Sequence, residues 1–217
     1  MNANDQLQQN IQFALFWEPF IENISIGVTA QNGIVTLSGF VDSYEKKVEI
    51  EKIVKKVRGV KALVEHLEVQ HGIVAESDED LAIKALAAIK MNTSIPEEDI
   101  KIVVAKGWIY LIGAVDWNYQ KMAAEHAVGS IIGVKGVVNS LLIHSTTTDT
   151  IEQKAIQNAL KRSGLLRNKS IEVAVDDNVV TLTGQVDSIL QKEEAERITW
   201  NSPGIWRIKN QIDIINH

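Results

Sequence analysis

The chain of 217 residues has 28 acidic and 22 basic side chains, a formal net charge of −6, and 45% hydrophobic residues. This composition is typical of a soluble globular protein and excludes a disordered chain. The absence of cysteine excludes disulfides, zinc thiolates and thiol nucleophiles. No apolar run reaches the ~18 residues of a transmembrane helix, and no part of the chain has the excess of Lys and Arg that a nucleic-acid surface needs.

The first ten residues contain neither a basic segment nor an apolar one, so they do not form a secretory signal peptide. We therefore expect a cytoplasmic protein, with a periplasmic protein as the alternative if a signal was removed. The lack of cysteine fits both compartments.

A stretch of alternating apolar residues that ends in Gly-x-Val-Asp occurs three times. Its glycines are Gly39, Gly113 and Gly184, separated by 74 and 71 residues. A Gly-Val or Gly-Ile pair follows each glycine 20 residues later, which fixes a common register. We predict three repeats, at residues 1–73, 74–145 and 146–217. Domains this small are marginally stable alone, so contacts between repeats are expected to help.

Within each repeat the elements follow one order. A helical pattern begins near Asp5, Ser77 and Thr148–Asp149. Two strands of period two follow, joined by a tight turn, and then a second helix and a last strand. A strand–helix–strand crossover is expected to be right-handed and parallel. The predicted fold class is α+β, with three tandem α-β-β-α-β modules, each a three-stranded mixed sheet covered on one face by two helices.

Two positions of the motif could be taken for functional residues. The three glycines fall on the inner side of the second strand, where they most simply permit a bend or the close approach of a helix. The aspartates that follow, Asp42, Asp116 and Asp187, stand where the second helix begins, so we interpret them as N-caps. No His or carboxylate accompanies them at a fixed offset, which argues against acid–base chemistry.

Other signals of chemistry are absent from the sequence. The five histidines are isolated, and there is no nucleophile elbow or phosphate-binding loop. The acidic clusters at 78–80 and 97–99 are interpreted as helix-start charge and a solvated loop rather than calcium sites. We expect no catalytic residues, no metal and no cofactor, and hence no enzyme.

A module with hydrophobic-x-Gly-x-Val-Asp, then Gly-Val, then the Val-x-Asn-x-Leu pattern at Val137–Leu141 resembles the bacterial osmotic-stress and nodulation (BON) domain. The resemblance covers nearly the whole chain as three tandem copies. It implies a non-catalytic module of osmotic and envelope stress that contacts phospholipid surfaces or other proteins. Many members are periplasmic.

Repeat 2 differs from its neighbours on the open sheet face, the side that the helices leave uncovered. Six apolar residues are expected there, and we call them the repeat-2 patch: Trp108, Tyr110, Ile112, Val138, Leu142 and Val103. The corresponding second strands carry Ile34, Thr36 and Ser38 in repeat 1, and Val179, Thr181 and Thr183 in repeat 3. Monomers rarely expose so large an apolar surface, so we expect the patch to be covered.

Three coverings are open: the flanking repeats, a homo-oligomer or protein partner, and a lipid or small apolar ligand. A second aromatic group, Phe13, Phe16, Trp17 and Phe20, is expected to pack in the core or an interface, with a membrane anchor as the alternative. An anchor usually includes Lys or Arg, and residues 1–22 contain neither.

Two functional hypotheses remain. The first is a non-catalytic binding or scaffold protein of the stress response, whose partner is a protein or a phospholipid surface. The second is a small-solute or ion sensor of the potassium type, with the ligand clamped between repeats.

Overall fold

A computed structural model describes residues 2–21, 25–70, 76–144 and 151–215. It contains three three-stranded sheets, each with the second strand of its repeat in the middle. Repeat 1 comprises α1 (Ala3–Phe16), β1 (Ile26–Gln31), β2 (Ile34–Val41), α2 (Tyr44–Lys56) and β3 (Ala62–Val69). Repeat 2 comprises α3 (Asp78–Met91), β4 (Ile100–Ala105), β5 (Trp108–Val115), α4 (Asn118–Gly129) and β6 (Gly136–Ile143). Repeat 3 comprises α5 (Gln153–Arg162), β7 (Ile171–Asp176), β8 (Val179–Val186), α6 (Ile189–Thr199) and β9 (Arg207–Ile214).

The predicted fold class is confirmed. The first two strands of each repeat form an antiparallel hairpin, and the last strand pairs in parallel with the second in repeats 2 and 3. Short 3-10 helices at Pro19–Ile21 and Glu97–Asp99 precede β1 and β4. The predicted helix start at Thr148–Asp149 lies outside the described residues.

The core of each repeat lies between its helix pair and the inner face of its sheet. In repeat 2, Ile109 and Leu111 of β5 are fully buried beneath Leu81 of α3 and Ala124 of α4. The alternation along β5 is therefore strict, and its odd-numbered residues face the helices while Trp108, Tyr110 and Ile112 face away.

An asparagine in the last strand ties the second helix to the sheet. In repeat 2 the Asn139 side-chain amide donates to the main-chain oxygen of Lys121 at 2.8 Å and to the Glu125 carboxylate at 3.0 Å. Asn210 makes the same two bonds in repeat 3, to Lys192 and Glu196. This accounts for the Val-x-Asn-x-Leu pattern by a structural bond rather than by binding.

The motif glycines are required by the close approach of the residue that immediately precedes the first strand of each repeat. Gly39, Gly113 and Gly184 have φ values of 140°, 139° and 135°, which L side chains rarely adopt. A Cβ on Gly113 would lie 2.0 Å from the main-chain oxygen of Asp99, just before β4. The close neighbour is therefore the backbone just before the first strand and not one of the covering helices, whereas the alternative expectation of a bend stays a prediction.

The motif aspartates are not N-caps, because each second helix begins one residue later than expected. In α2 the Ser43 hydroxyl accepts from Lys46 N at 3.4 Å, and in α6 the Ser188 hydroxyl accepts from Gln191 N at 3.3 Å. The N-cap of α4 is Trp117. Asp42, Asp116 and Asp187 instead occupy the residue between the strand and the cap.

Two of these aspartates form ion pairs. Asp42 accepts from Lys46 Nζ at 2.7 Å, and this bond lowers the pKa of its exposed carboxyl. Asp187 pairs with Lys169 and lies 3.6 Å from Arg58 Nη2. Asp116 is exposed.

The first helix of repeat 2 is bonded to the turn of its hairpin. The Asp78 carboxylate accepts from Gly107 N at 2.8 Å and from Lys106 N at 2.7 Å. These two bonds lower the pKa of Asp78 below its ordinary value of 3.8. Repeat 1 has the same bond with a neutral acceptor, since Asn4 Oδ1 accepts from Asn32 N at 2.9 Å.

The chain divides into two compact units: one comprises Met1–Gly39, Glu49–Leu67 and Thr147–His217, and the other comprises Phe40–Val48 and Glu68–Thr146. The first unit joins repeats 1 and 3 through Gly59 N, which donates to Asp187 O at 3.3 Å, and through Lys55 and Glu193 at 2.8 Å. In the second unit, Tyr44 packs against the core of repeat 2. A Cβ on Gly129 would lie 3.1 Å from the Tyr44 ring, so a glycine makes room for it.

Gly113→Ala is predicted to destabilise the fold by roughly 2 kcal/mol or more, because the added methyl group meets a main-chain oxygen in a strained conformation. The matched control is Gly164→Ala, since a Cβ there would have no atom within 4 Å. Urea unfolding of both variants measures the difference. Equal midpoints would contradict the role given to the motif glycine.

Asp78→Ala is predicted to lower the melting temperature at neutral pH. The folded pKa of Asp78 is depressed, so its contribution is present above pH 3.8 and is lost as the pH falls through the lowered folded value. The gap between wild type and variant should therefore close in acid. Glu79→Ala, in the same exposed helical turn, is the control and should show no such pH dependence. If the difference in melting temperature between wild type and Asp78→Ala is the same at all pH values, the two bonds from Asp78 to the turn do not stabilise the fold.

Candidate functional site: the open sheet face of repeat 2

The structure brings the six residues of the repeat-2 patch together on one face. Val103, Tyr110 and Val138 form a row across the sheet, because Tyr110 is the register partner of both valines. Ile112 follows Tyr110 on the outward side of β5, and Leu142 stands opposite Ala114. The face is thus three strands wide, with valines on both sides of Tyr110 and with Lys101 and Ser140 on either side of Ile112.

The patch is open to solvent within the chain. Leu142 is 70% exposed, Val103 49% and Ile112 45%, which are unusual values for large apolar residues clustered on one surface. Trp108 and Val138 are less exposed, at 38% and 37%. Most of the patch is therefore exposed within its own compact unit, Phe40–Val48 with Glu68–Thr146, and its covering stays a prediction.

Trp108 lies flat across the neighbouring strand instead of standing out from the sheet. Its register partner on β6 is Gly136, and a Cβ on Gly136 would lie 2.4 Å from indole atom Cζ3. The ammonium group of Lys47 lies over the same ring, 5.8 Å from its centroid. The indole is therefore held between a glycine and a cation.

Neither neighbour of Trp108 was identified from the sequence. Gly136 carries a signal in retrospect, because the corresponding positions are Ala62 in repeat 1 and Arg207 in repeat 3. A small residue opposite a tryptophan indicates that the indole needs the space. Lys47 belongs to α2 of another repeat, so no local pattern connects it with Trp108.

Charges lie at both ends of the face. At the hairpin end, Lys106 and Lys135 are exposed on either side of Gly107, whose main-chain oxygen accepts from Lys135 N at 2.9 Å. At the opposite end, the exposed acidic run Glu97–Asp99 leads into β4, and Asp116 follows β5. Lys101, opposite Ile112, is a cation at this acidic end.

The model of the BON domain family matches the chain three times, over residues 3–71, 77–144 and 148–216. The chain belongs to the BON domain family. Osmotically-inducible protein Y of Escherichia coli (strain K12) is 31% identical over 136 residues, which cover 60% of this chain and 68% of that protein.

Two solved structures of CdsD, described as a structural protein of the type III secretion system of Chlamydia trachomatis, are also similar to the chain. Both are 17% identical; one covers 97% of this chain and 92% of CdsD, and the other, of its C-terminal domain, covers 99% and 100%. Their TM-scores are 0.25 and 0.26. A likeness at this level carries no information about the BON repeats of this chain.

The second aromatic group of the sequence is not part of the core of the first BON repeat. Phe13, Phe16 and Trp17 are 65%, 80% and 66% exposed, because α1 buries Leu7, Ile11 and Leu15 on its other side. The two phenylalanine rings meet Trp17 edge to face, at centroid distances of 5.8 and 5.9 Å. The expectation of core packing is wrong for these residues, and the interface and membrane-anchor interpretations stay predictions.

The described residues give no indication of a metal site or of a membrane span. In the ranges that the structure describes, no three His, Asp or Glu side chains are placed to hold a metal ion. Among the helices of the same ranges, none is long and apolar enough to cross a bilayer.

A double-mutant cycle on Lys47→Met and Trp108→Leu should give a coupling free energy of about 0.5–1 kcal/mol, the value typical of a partly exposed cation–π pair. Urea unfolding of the four proteins measures it. The control cycle combines Lys101→Met with Trp108→Leu. Lys101 lies two outward positions along the sheet from Trp108, so no measurable coupling is expected. Equal couplings in both cycles would contradict the contact.

Proposed function

We propose that this chain is a non-catalytic binding protein of the bacterial osmotic and envelope stress response, and that it binds a protein partner on the repeat-2 patch. The patch is the observation that carries the proposal: repeat 2 exposes a tryptophan at position 108, and it has Tyr110 and Ile112 where the other two copies carry threonine or serine. The name of its relative, Osmotically-inducible protein Y, supports the link to osmotic stress.

The composition of the patch suits protein binding. Burial of apolar surface releases about 25 cal/mol per Å², and tryptophan and tyrosine are the side chains that most often dominate interface energies. The patch exposes on the order of several hundred Å² of apolar surface, at the lower end of what specific interfaces use. Such an area predicts weak, reversible binding.

Charge favours a protein over a phospholipid surface. Anionic lipids attract surfaces lined by Lys and Arg, whereas the exposed acidic run Glu97–Asp99 and Asp116 border one end of the patch. The chain as a whole also carries a net charge of −6. A phospholipid surface would therefore be repelled along part of this face.

A photo-cross-linking amino acid at position 110 tests the proposal in bacteria grown at high osmolarity. We expect a discrete protein adduct at 110 that is lost when Ile112→Lys is added. The matched control places the same amino acid at Thr181, the equivalent position of repeat 3, where no such adduct is expected. An absent adduct at 110, or the same adducts at 181, would overturn the proposal.

Two further measurements separate the other hypotheses. Flotation with vesicles of anionic phospholipid that is abolished by Ile112→Lys would replace the protein partner with a lipid surface. A saturable rise in melting temperature with potassium chloride, and not with sodium chloride, would support the ion sensor instead.

A further inference from the structure

We propose that the partner bound by the repeat-2 patch is a second copy of this chain, with the two sheets face to face and their strands antiparallel. This inference rests on the proposed function, because it uses the repeat-2 patch as a protein-binding surface. It adds the identity of the partner and the orientation in which it binds.

The shape of the patch suits another sheet. Trp108 lies down over Gly136 and does not protrude from the sheet, and the other outward residues of β5 are Tyr110, Ile112 and Ala114. Two sheets that pack face to face bury rows of this kind against each other at a separation of about 10 Å. A second copy supplies a surface of the same width and the same apolar character.

The charges at the two ends select the orientation. The hairpin end carries Lys106, Lys135 and, over the Trp108 ring, Lys47. Asp78 also reaches this end, where its carboxylate bonds the turn backbone. The opposite end carries the acidic run Glu97–Asp99 with Asp116, and these carboxylates outnumber Lys101 there.

A two-fold axis that runs between the sheets, at right angles to the strands, places the cationic end of each copy on the acidic end of the other. The same axis relates two identical surfaces, as the common closed dimer requires. A parallel arrangement would instead place lysines on lysines and carboxylates on carboxylates. Charge complementarity therefore favours the antiparallel dimer over the parallel one.

The register then assigns the contacts. If the axis crosses the middle of the outward rows, Tyr110 of one copy faces Ile112 of the other. The hairpin end, where Lys47 lies over the Trp108 ring, then faces Ala114 and Leu142 of the other copy, and Leu142 is the most exposed residue of the patch. The apolar area alone is smaller than the roughly 800 Å² per partner of a standard interface, so the dissociation constant should lie in the micromolar range.

Sedimentation velocity of the full chain over a concentration series tests the dimer. We expect reversible dimerisation, weakened at least tenfold when sodium chloride is raised from about 50 to about 500 mM, because salt screens the contacts between the ends. Dimerisation that strengthens with salt would overturn the antiparallel orientation. A chain that is monomeric throughout would overturn the dimer.

Charge reversal gives a sharper test. Lys106→Glu with Lys135→Glu makes both ends acidic, and Glu97→Lys with Glu98→Lys makes both ends basic. Each variant alone should lose dimerisation by at least tenfold, and an equimolar mixture should regain it as a heterodimer. A mixture that does not associate, from variants that melt like the wild type, would overturn the proposal.

A cross-linking measurement does not depend on those variants. The chain has no cysteine, so Ile112→Cys treated with a short bismaleimide can link only two chains. We expect a covalent dimer from Ile112→Cys and none from Thr183→Cys, the equivalent position of repeat 3. Equal yields would overturn the proposal.

The photo-cross-linked adduct at position 110 separates this inference from the proposed function. An adduct of twice the mass of the chain supports the dimer. An adduct with a different protein leaves the proposed function in place and overturns the dimer. The absence of any adduct overturns both.

Discussion

The two helices of each repeat cover one face of its own sheet, and most features of the molecule depend on that constraint. The inner residues of a central strand, such as Ile109 and Leu111, must fill the space beneath two helices and are fully buried. The outer residues are free of this requirement. Because strand neighbours alternate between the faces, one strand can keep an unchanged core while its outer side changes completely. On the same backbone, repeat 2 has Tyr110 and Ile112 on the outer side of its central strand where repeat 3 has Thr181 and Thr183.

The contacts between repeats use a different part of the module. They involve the second helices: Tyr44, in the first turn of α2, packs against the core of repeat 2 where Gly129 leaves room, and the residues that follow α2 bond to Asp187 of repeat 3. Of the contacts described between repeats, that of Lys47 with the Trp108 ring reaches the open sheet face of repeat 2, and the rest of this apolar face has no such structural explanation. If the apolar face held the repeats together, that contact alone would explain its composition.

The alternation of inward and outward residues along the strands and the regular spacing of the repeated motif made the fold and the patch predictable from the sequence. Alternation places Trp108 and Tyr110 on one side of β5 whatever the rest of the chain does, and the recurrence of the motif glycine sets the register of all three repeats. Helix starts were less predictable. Asp42-Ser43 and Asp187-Ser188 each offer two adjacent residues with good capping side chains, and only the geometry shows that the serine is used.

Contacts between distant segments could not be predicted at all. Nothing near Lys47 in the sequence points to Trp108, and nothing near Asp78 points to the turn at Lys106. The exposure of Phe16 and Trp17 was missed for a related reason, since an aromatic residue in a helix is usually buried, and the apolar stripe of α1 was already complete with Leu7, Ile11 and Leu15. The burial of these side chains depends on their position around the helix and not on their being aromatic.

Because the Trp108 indole lies flat over Gly136, an apolar face of this kind cannot be introduced into another repeat by changing one residue. A tryptophan introduced at Val179 of repeat 3 would meet Arg207 in place of the glycine, and one at Ile34 of repeat 1 would meet Ala62. The first indole would have to stand upright from the sheet instead of lying along it. Transferring the apolar face of repeat 2 to another repeat therefore requires both a tryptophan on the second strand and a glycine opposite it on the third strand. Neither substitution suffices without the other.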